Sequence, residues 1–117
     1  MSRDHRKLRV FQEADELVPR VYAVTRQLPS EERYGLMSQI RRAAVSVPTN
    51  IVDGAARVSS AEYQRFLEIA LSSARENEYL FGLTTRLGLL DPTAALQLSD
   101  QYGRVSAGLT RLWQSLE

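Results

Sequence analysis

A proline sits in the middle of a stretch that otherwise reads as a single helix. From Ser38 to Arg57 the chain runs SQIRRAAVSVPTNIVDGAAR. Met37, Ile40, Ala44, Val47, Ile51 and Ala55 recur every three or four residues, the period of one side of an α-helix. Pro48 cannot donate a backbone hydrogen bond, and its ring crowds the carbonyl of Ala44. A mid-helix proline costs roughly 3 kcal/mol. Tight packing of this helix must offset that cost.

Three more helices follow from the same periodicity. The first spans about Val10 to Leu28, with Val10, Ala14, Leu17, Val21, Val24 and Leu28 as its seam. Pro19 predicts a kink there, or a first turn that is not helical. The second, containing Pro48, starts at Glu31 or Tyr34 and ends near Ala56. Ser59 followed by Glu62 marks the start of the third, which continues to Leu87 with Gly88 as C-cap. Asp91-Pro92 opens the fourth, whose seam is Ala95, Leu98, Tyr102, Val105, Leu109, Leu112 and Leu116. No segment alternates with the period of a strand. The short connections predict an all-α, antiparallel up-down-up-down four-helix bundle, one domain over residues 1–117 with a basic tail at 1–9.

The apolar surface exceeds what one core uses. On helix 3, Phe66, Ile69, Leu80, Leu83 and Leu87 form one stripe, and Tyr63, Leu67, Ala70, Ala74 and Phe81 form another. On helix 2, Val45, Pro48 and Val52 project away from the Ile40/Val47/Ile51 stripe. A second stripe predicts a partner surface, and we expect a homo-oligomer.

Chemistry is sparse. The chain has no cysteine, so disulfides, thiolate metal sites and cysteine nucleophiles are excluded. Its single histidine, His5, lies in the tail. The Glu-x-x-His pattern of di-iron bundles and the glycine-rich phosphate loops are missing. We expect no enzyme, catalytic residue, cofactor or metal. The charged N-terminus lacks a signal-like apolar stretch, and no apolar run approaches the ~20 residues that span a bilayer. This predicts a cytoplasmic protein without a membrane partner.

Residues 1–57 hold ten Lys/Arg against seven Asp/Glu, and residues 58–117 hold five against seven. Fourteen of the fifteen basic residues are arginine, which suits bidentate contacts to phosphate and carboxylate. Arg41 and Arg42, pointing about 100° apart on helix 2, are candidate nucleic-acid contacts. The alternative is an intersubunit ion pair or a solvated face. The tail residues Arg3, Arg6, Lys7 and Arg9 form the densest basic cluster, read either as a phosphate-binding arm or as a solvated end. Asn50, Asp53, Glu76 and Glu78 are candidates for a structural polar network around the proline. Trp113, Tyr102 and Tyr79 fit packing better than base stacking, because they stand at core spacing.

The opening from Leu8 to Leu17 with Tyr22 and Thr25, then Gly35-Leu36, QIRRAAVSVP at 39–48, Asn50-Ile51-Val52-Asp53-Gly54, FLEIA at 66–70, Ser73 with Glu76 and Glu78, and Arg86-Leu87-Gly88 carry a resemblance. Together they resemble the bacterial four-helix-bundle family named for proteins encoded within 23S ribosomal RNA intervening sequences. Asp53 stands where the family pattern has glutamate. The resemblance implies a ring-shaped homopentamer. It also links the chain to the accessory variability protein of diversity-generating retroelements, which engages nucleic acid and a reverse transcriptase. The expectation is a non-enzymatic oligomeric scaffold that meets RNA or DNA, with a nucleic-acid-processing protein as a further partner. The alternative is a protein-interaction module without nucleic acid.

Overall fold

The computed structural model describes residues 3–117 as four α-helices: α1 (Arg9–Thr25), α2 (Leu36–Ala55), α3 (Ser60–Arg86) and α4 (Pro92–Ser115). Single 3-10 turns at His5–Lys7 and Ser30–Glu32 precede α1 and α2, and the described residues contain no strand. Capping chemistry sets most boundaries. Ser59 Oγ accepts from the Glu62 amide at 3.1 Å, and Asp91 Oδ2 accepts from the Ala94 amide at 3.0 Å. These bonds satisfy amides that the first helical turn leaves unpaired. At the end of α3, Gly88 adopts φ 68°. This left-handed step lets the amides of Gly88 and Leu89 reach the carbonyls of Thr85 and Thr84.

Two boundaries fall inside the expected ones. α1 stops at Thr25 rather than Leu28, where the amides of Gln27 and Leu28 turn back onto Val24 and Thr25. α2 begins at Leu36, because Glu32 stays in the 3-10 turn and its carboxylate accepts from the Leu36 amide at 3.2 Å. Nor is 1–9 a tail throughout: Arg9 already belongs to α1 and His5–Lys7 is a turn.

α2 packs on α3, α3 on α4, and α1 on both α2 and α4. Contacts run in opposite directions along the paired helices. Gln39 meets Glu76 while Ser46 meets Ser73, and Glu78 meets Ser99 while Gln64 meets Trp113. One core gathers Leu17 and Val21 from α1, Ile40 and Ile51 from α2, Leu67 and Phe81 from α3, and Leu98 and Leu109 from α4. The Phe81 and Tyr102 rings stack within it, 6.3 Å between centroids.

α1 and α2 are helical straight through their prolines. Pro19 and Asp15 are exposed, so the carbonyl that Pro19 leaves without a donor faces water. Pro48 differs. It is buried, correcting the expectation that it projects outward with Val45 and Val52. Leu80 is also buried, unlike Ile69 and Leu87 of the same apolar stripe. Around Pro48, side-chain donors cluster on the flanking carbonyls: Thr49 Oγ1 to Val45 at 2.7 Å and Asn50 Nδ2 to Ser46 at 2.8 Å.

At the far end of α2, Gly54 lies against α3. A Cβ there would stand 2.9 Å from both Phe66 Cβ and Tyr63 Cδ1. Alanine ordinarily gains about 1 kcal/mol over glycine within a helix. Overpacking of a filled interface costs about 1–3 kcal/mol, so the clash wins. Gly54→Ala should therefore lower the free energy of unfolding, read as an earlier midpoint in urea.

Tyr102 is wholly buried, and among the described residues its hydroxyl, Asn77 Oδ1 and Ser106 Oγ find no partner in hydrogen-bond geometry. Burial pushes the phenol from 10.0 up to about 12, while the neighbouring Asn77 side chain, short of a well-formed hydrogen bond, pulls weakly the other way. The fold thus holds the neutral form. That stabilisation is complete below pH 10 and is lost as pH rises from 10 towards 12, where the unfolded chain releases its proton first. Tyr102→Phe should flatten this alkaline loss. Near neutral pH it should change stability by less than about 1 kcal/mol, since the hydroxyl it removes has no partner. Urea titrations on either side of pH 10 check both statements.

Candidate functional site on the outward side of α2

The outward side of α2 carries four of the residues singled out in the sequence: Arg41, Arg42, Asn50 and Asp53. Their fates differ because adjacent helical positions point to different neighbours.

Arg41 turns towards α1. Its Nε donates to Thr25 Oγ1 at 2.9 Å, and its Nη2 donates to the Tyr22 carbonyl at 3.1 Å. The guanidinium lies 4.4 Å from the centre of the Tyr22 ring. Thr25 Oγ1 in turn donates to the Val21 carbonyl at 2.7 Å. Carbonyls at a helix C-terminus lack intrahelical donors, and a cation there also meets the negative end of the helix dipole. Arg41 is therefore engaged within the subunit while still lining the groove between α1 and α2.

Arg42 is exposed. It stands on the shared rim of two open grooves. One, between α1 and α2, is lined by Tyr22, Ser38, Val45, Thr49 and Asn50. The other, between α2 and α3, is lined by Gln39, Ala43, Ser46, Ser73 and Glu76. Ser46 belongs to both. Among the described residues no carboxylate pairs with Arg42.

The expected polar network divides. Asn50 Nδ2 donates to Ser46 Oγ at 3.0 Å, and Ser73 Oγ donates to the same oxygen at 2.8 Å, tying α2 to α3. Beside them, Gln39 Nε2 donates to Glu76 Oε2 at 3.0 Å. Glu78 does not join: it pairs with Arg75 at 3.8 Å, and its backbone carbonyl accepts from Ser99 on α4. Asp53 is exposed and makes no ion pair among the described residues. The carboxylates are too dispersed to act as one acid–base centre. Among the described residues, no group of three or more His, Asp or Glu side chains could hold a metal.

The N-terminal cations are largely engaged. Arg3 donates to the Arg57 carbonyl at 2.9 Å and to Ser60 Oγ at 2.8 Å, with its guanidinium 5.3 Å from the Tyr63 ring centre. Arg3 itself is thereby tied to the α2–α3 corner. Arg6 grips Asp4 through two hydrogen bonds of 2.9 and 3.0 Å, and together with the Arg6 amide holds that carboxyl down at about 2. Arg9 pairs with Glu13 at 3.0 Å. Lys7 is exposed. His5 packs edge-on against Phe11, 4.8 Å between ring centres. These residues form a folded turn, not a free basic arm.

Of the aromatic candidates, Tyr102 is in the core, and Trp113 Nε1 donates to Glu68 at 3.1 Å. Tyr79 is 59% exposed, with Arg86 5.7 Å from its ring centre. Tyr22, Thr25 and Arg41 all carry the family resemblance in the sequence, but that they join one another was missed there.

Four helices around one apolar core define an all-α helical domain over the described residues. The family model described as 23S rRNA-intervening sequence protein matches residues 6–111, and the chain belongs to that family. Among solved structures, it is similar to a protein of unknown function from the S23 ribosomal protein family of Bacteroides thetaiotaomicron. The two share 23% identity over 90% of this chain and 95% of the other, with a TM-score of 0.81. No curated protein matches the chain.

Arg41 and Arg42 are separable by stability. Arg41→Ala removes two charge-assisted hydrogen bonds from a partly buried site. It should cost about 1.5–3 kcal/mol in urea unfolding. Arg42→Ala, on the exposed rim, should stay within about 0.5 kcal/mol of wild type.

Proposed function

We propose that this chain is a non-enzymatic scaffold: an antiparallel up-down-up-down bundle that assembles as a ring-shaped homopentamer. The carrying observation is the apolar surface left over once the core is complete. Val45 on α2 is 41% exposed, and Ile69 and Leu87 on α3 are 49% and 55% exposed. Val52, Phe66 and Leu83 extend these rows as half-buried neighbours. A row of this kind on two adjacent helices suits a protein interface. The opposed residue orders along paired helices support the up-down topology, and the family resemblance supplies the subunit number.

Nucleic-acid binding is a second reading, favoured by Arg42. Its guanidinium stands exposed between two grooves without a carboxylate partner, and each subunit of a ring repeats it. Repetition raises the avidity of a weak phosphate contact. Where Arg42 makes no such contact, the scaffold serves protein partners alone.

Native mass spectrometry should give five times 13.2 kDa, and Val45→Glu should shift the mass to that of smaller species without unfolding the chain. A native mass of 13.2 kDa would overturn the assembly. Fluorescence anisotropy with a structured RNA and a DNA duplex separates the two readings. Binding that weakens steeply with salt, with a slope flattened by about one unit in Arg42→Ala, supports the phosphate contact. No binding at low salt removes it.

A further inference from the structure

The seam between α1 and α4 carries a groove apart from the α2 side; among the described residues α2 and α4 stand diagonally across the core and their backbones are not adjacent. Two adjoining depressions along this seam share Arg9, Glu13 and Arg104 and so form one channel. Arg20 stands towards one end, Arg111 towards the other. Buried Leu17 and Val105 lie beneath it. At the Arg111 end the wall is glycine, where a Cβ on Gly108 would meet Val10 Cγ2 at 3.1 Å.

The rims bear four arginines against two glutamates, Glu13 and Glu16. Two of the arginines are engaged: Arg9 by Glu13 at 3.0 Å, and Arg20 by Gln101 at 2.6 Å. Arg104 and Arg111 are exposed and meet no carboxylate among the described residues. Seven residues apart, they share one side of α4 and stand about 10 Å apart along its axis.

We propose that this groove docks an acidic, amphipathic helix of a partner protein, with carboxylates seven residues apart answering Arg104 and Arg111. Charge complementarity names the occupant. The excess of arginine calls for an acidic partner, and the guanidinium fork matches a carboxylate. Helical form follows from the walls. Both are α-helices whose backbone groups are bonded within them, so no strand edge exists for an extended peptide to join. A third helix instead lays its apolar stripe along the seam and sets its charged flanks against the rims, as flanking charges do in coiled coils. Nucleic acid fits less well. No aromatic ring lines the channel to stack on a base, and Glu13 and Glu16 would face its phosphates. The inference needs no second copy of the chain, so a monomeric native mass would leave it standing.

The test titrates the full chain into a fluorescein-labelled helical peptide of about 20 residues. The peptide carries a leucine seam and glutamates on both flanks, including a pair seven residues apart. Its twin has lysine at every glutamate, and a polyuridylate of about 12 nucleotides is the third probe. At near-physiological salt the glutamate peptide should bind and the lysine peptide should not. The double variant Arg104→Glu/Arg111→Glu should weaken the glutamate peptide about tenfold or more and admit the lysine peptide. Arg65→Glu, on the exposed side of α3, should change neither. Arg104→Gln/Arg111→Gln gives a smaller loss of the same sign and serves if the charge reversal disturbs the thermal melt. Absence of glutamate-peptide binding, equal binding of both peptides, tighter binding of polyuridylate, or an affinity indifferent to the double variants would each overturn the proposal.

Discussion

α2 and α3 come together through small residues. Ala43, Ala44, Ser46 and Gly54 lie on one helix, and Ala70, Ser73 and Ala74 on the other. Gly54 leaves no room for even a methyl group against Tyr63 and Phe66, and Ser46 is close enough to hydrogen-bond Ser73 directly. Pro48, seven residues from Arg41 and so on the α1 side of α2, is buried in a helix that runs through it unbroken. The α2–α3 approach also brings buried Asn77 within 3.1 Å of the Ile40 carbonyl, a polar tie that fixes the register of the two helices. The cost of a proline is offset where the helix carrying it is gripped along most of its length.

The same grip decides what the outward side of α2 can do. With α2 seated on α3, Arg41 points back at the end of α1 and Arg42 points out. A consecutive arginine pair thus divides between structure and surface. The ion pairs of Arg6 and Arg9 are local and exposed, so each contributes little to stability. Together with Arg3 they nevertheless leave few unengaged cations in the segment that looked most basic. The regional charge excess of the first half of the chain therefore does not become a basic surface there.

The seams, the caps and the all-α class were legible because each rests on chemistry within a few residues. Ser59, Asp91 and Gly88 make the bonds their sequence context implies. The position of Pro48 was not legible, because periodicity reports a helix's own face and not how deeply a neighbour embraces it. Nor does the period tell which members of an apolar stripe a neighbour covers: Leu80 is buried, while Ile69 and Leu87 of the same stripe are exposed. The candidate site was legible only in part. Asn50 bonds Ser46 within its own helix, but the cross-helix contacts of Ser73 with Ser46 and of Gln39 with Glu76 are settled only by helix pairing. Arg41 reads as a surface cation until Tyr22 and Thr25 are folded against it. Arg104 and Arg111 drew no attention, because seven-residue spacing is meaningful only once α1 supplies the opposite wall.

The arrangement of neighbours bears on how the two surfaces coexist. Among the described residues, the backbone of α2 lies beside those of α1 and α3, and that of α4 beside the same two, while α2 and α4 stand diagonally across the core. A subunit that assembles through α2 and the adjoining side of α3 keeps its α1–α4 groove free of that contact. A ring built this way offers its groove once per subunit, so a partner carrying several acidic helices gains from effective concentration rather than from a larger interface. Exposed ion pairs are individually weak, and a groove rimmed by arginines is a modest site alone. Repetition around an assembly turns such a site into a useful one, and the near-neutral charge of the chain costs it nothing, because complementarity is set locally by Arg104 and Arg111 rather than by the net charge of +1.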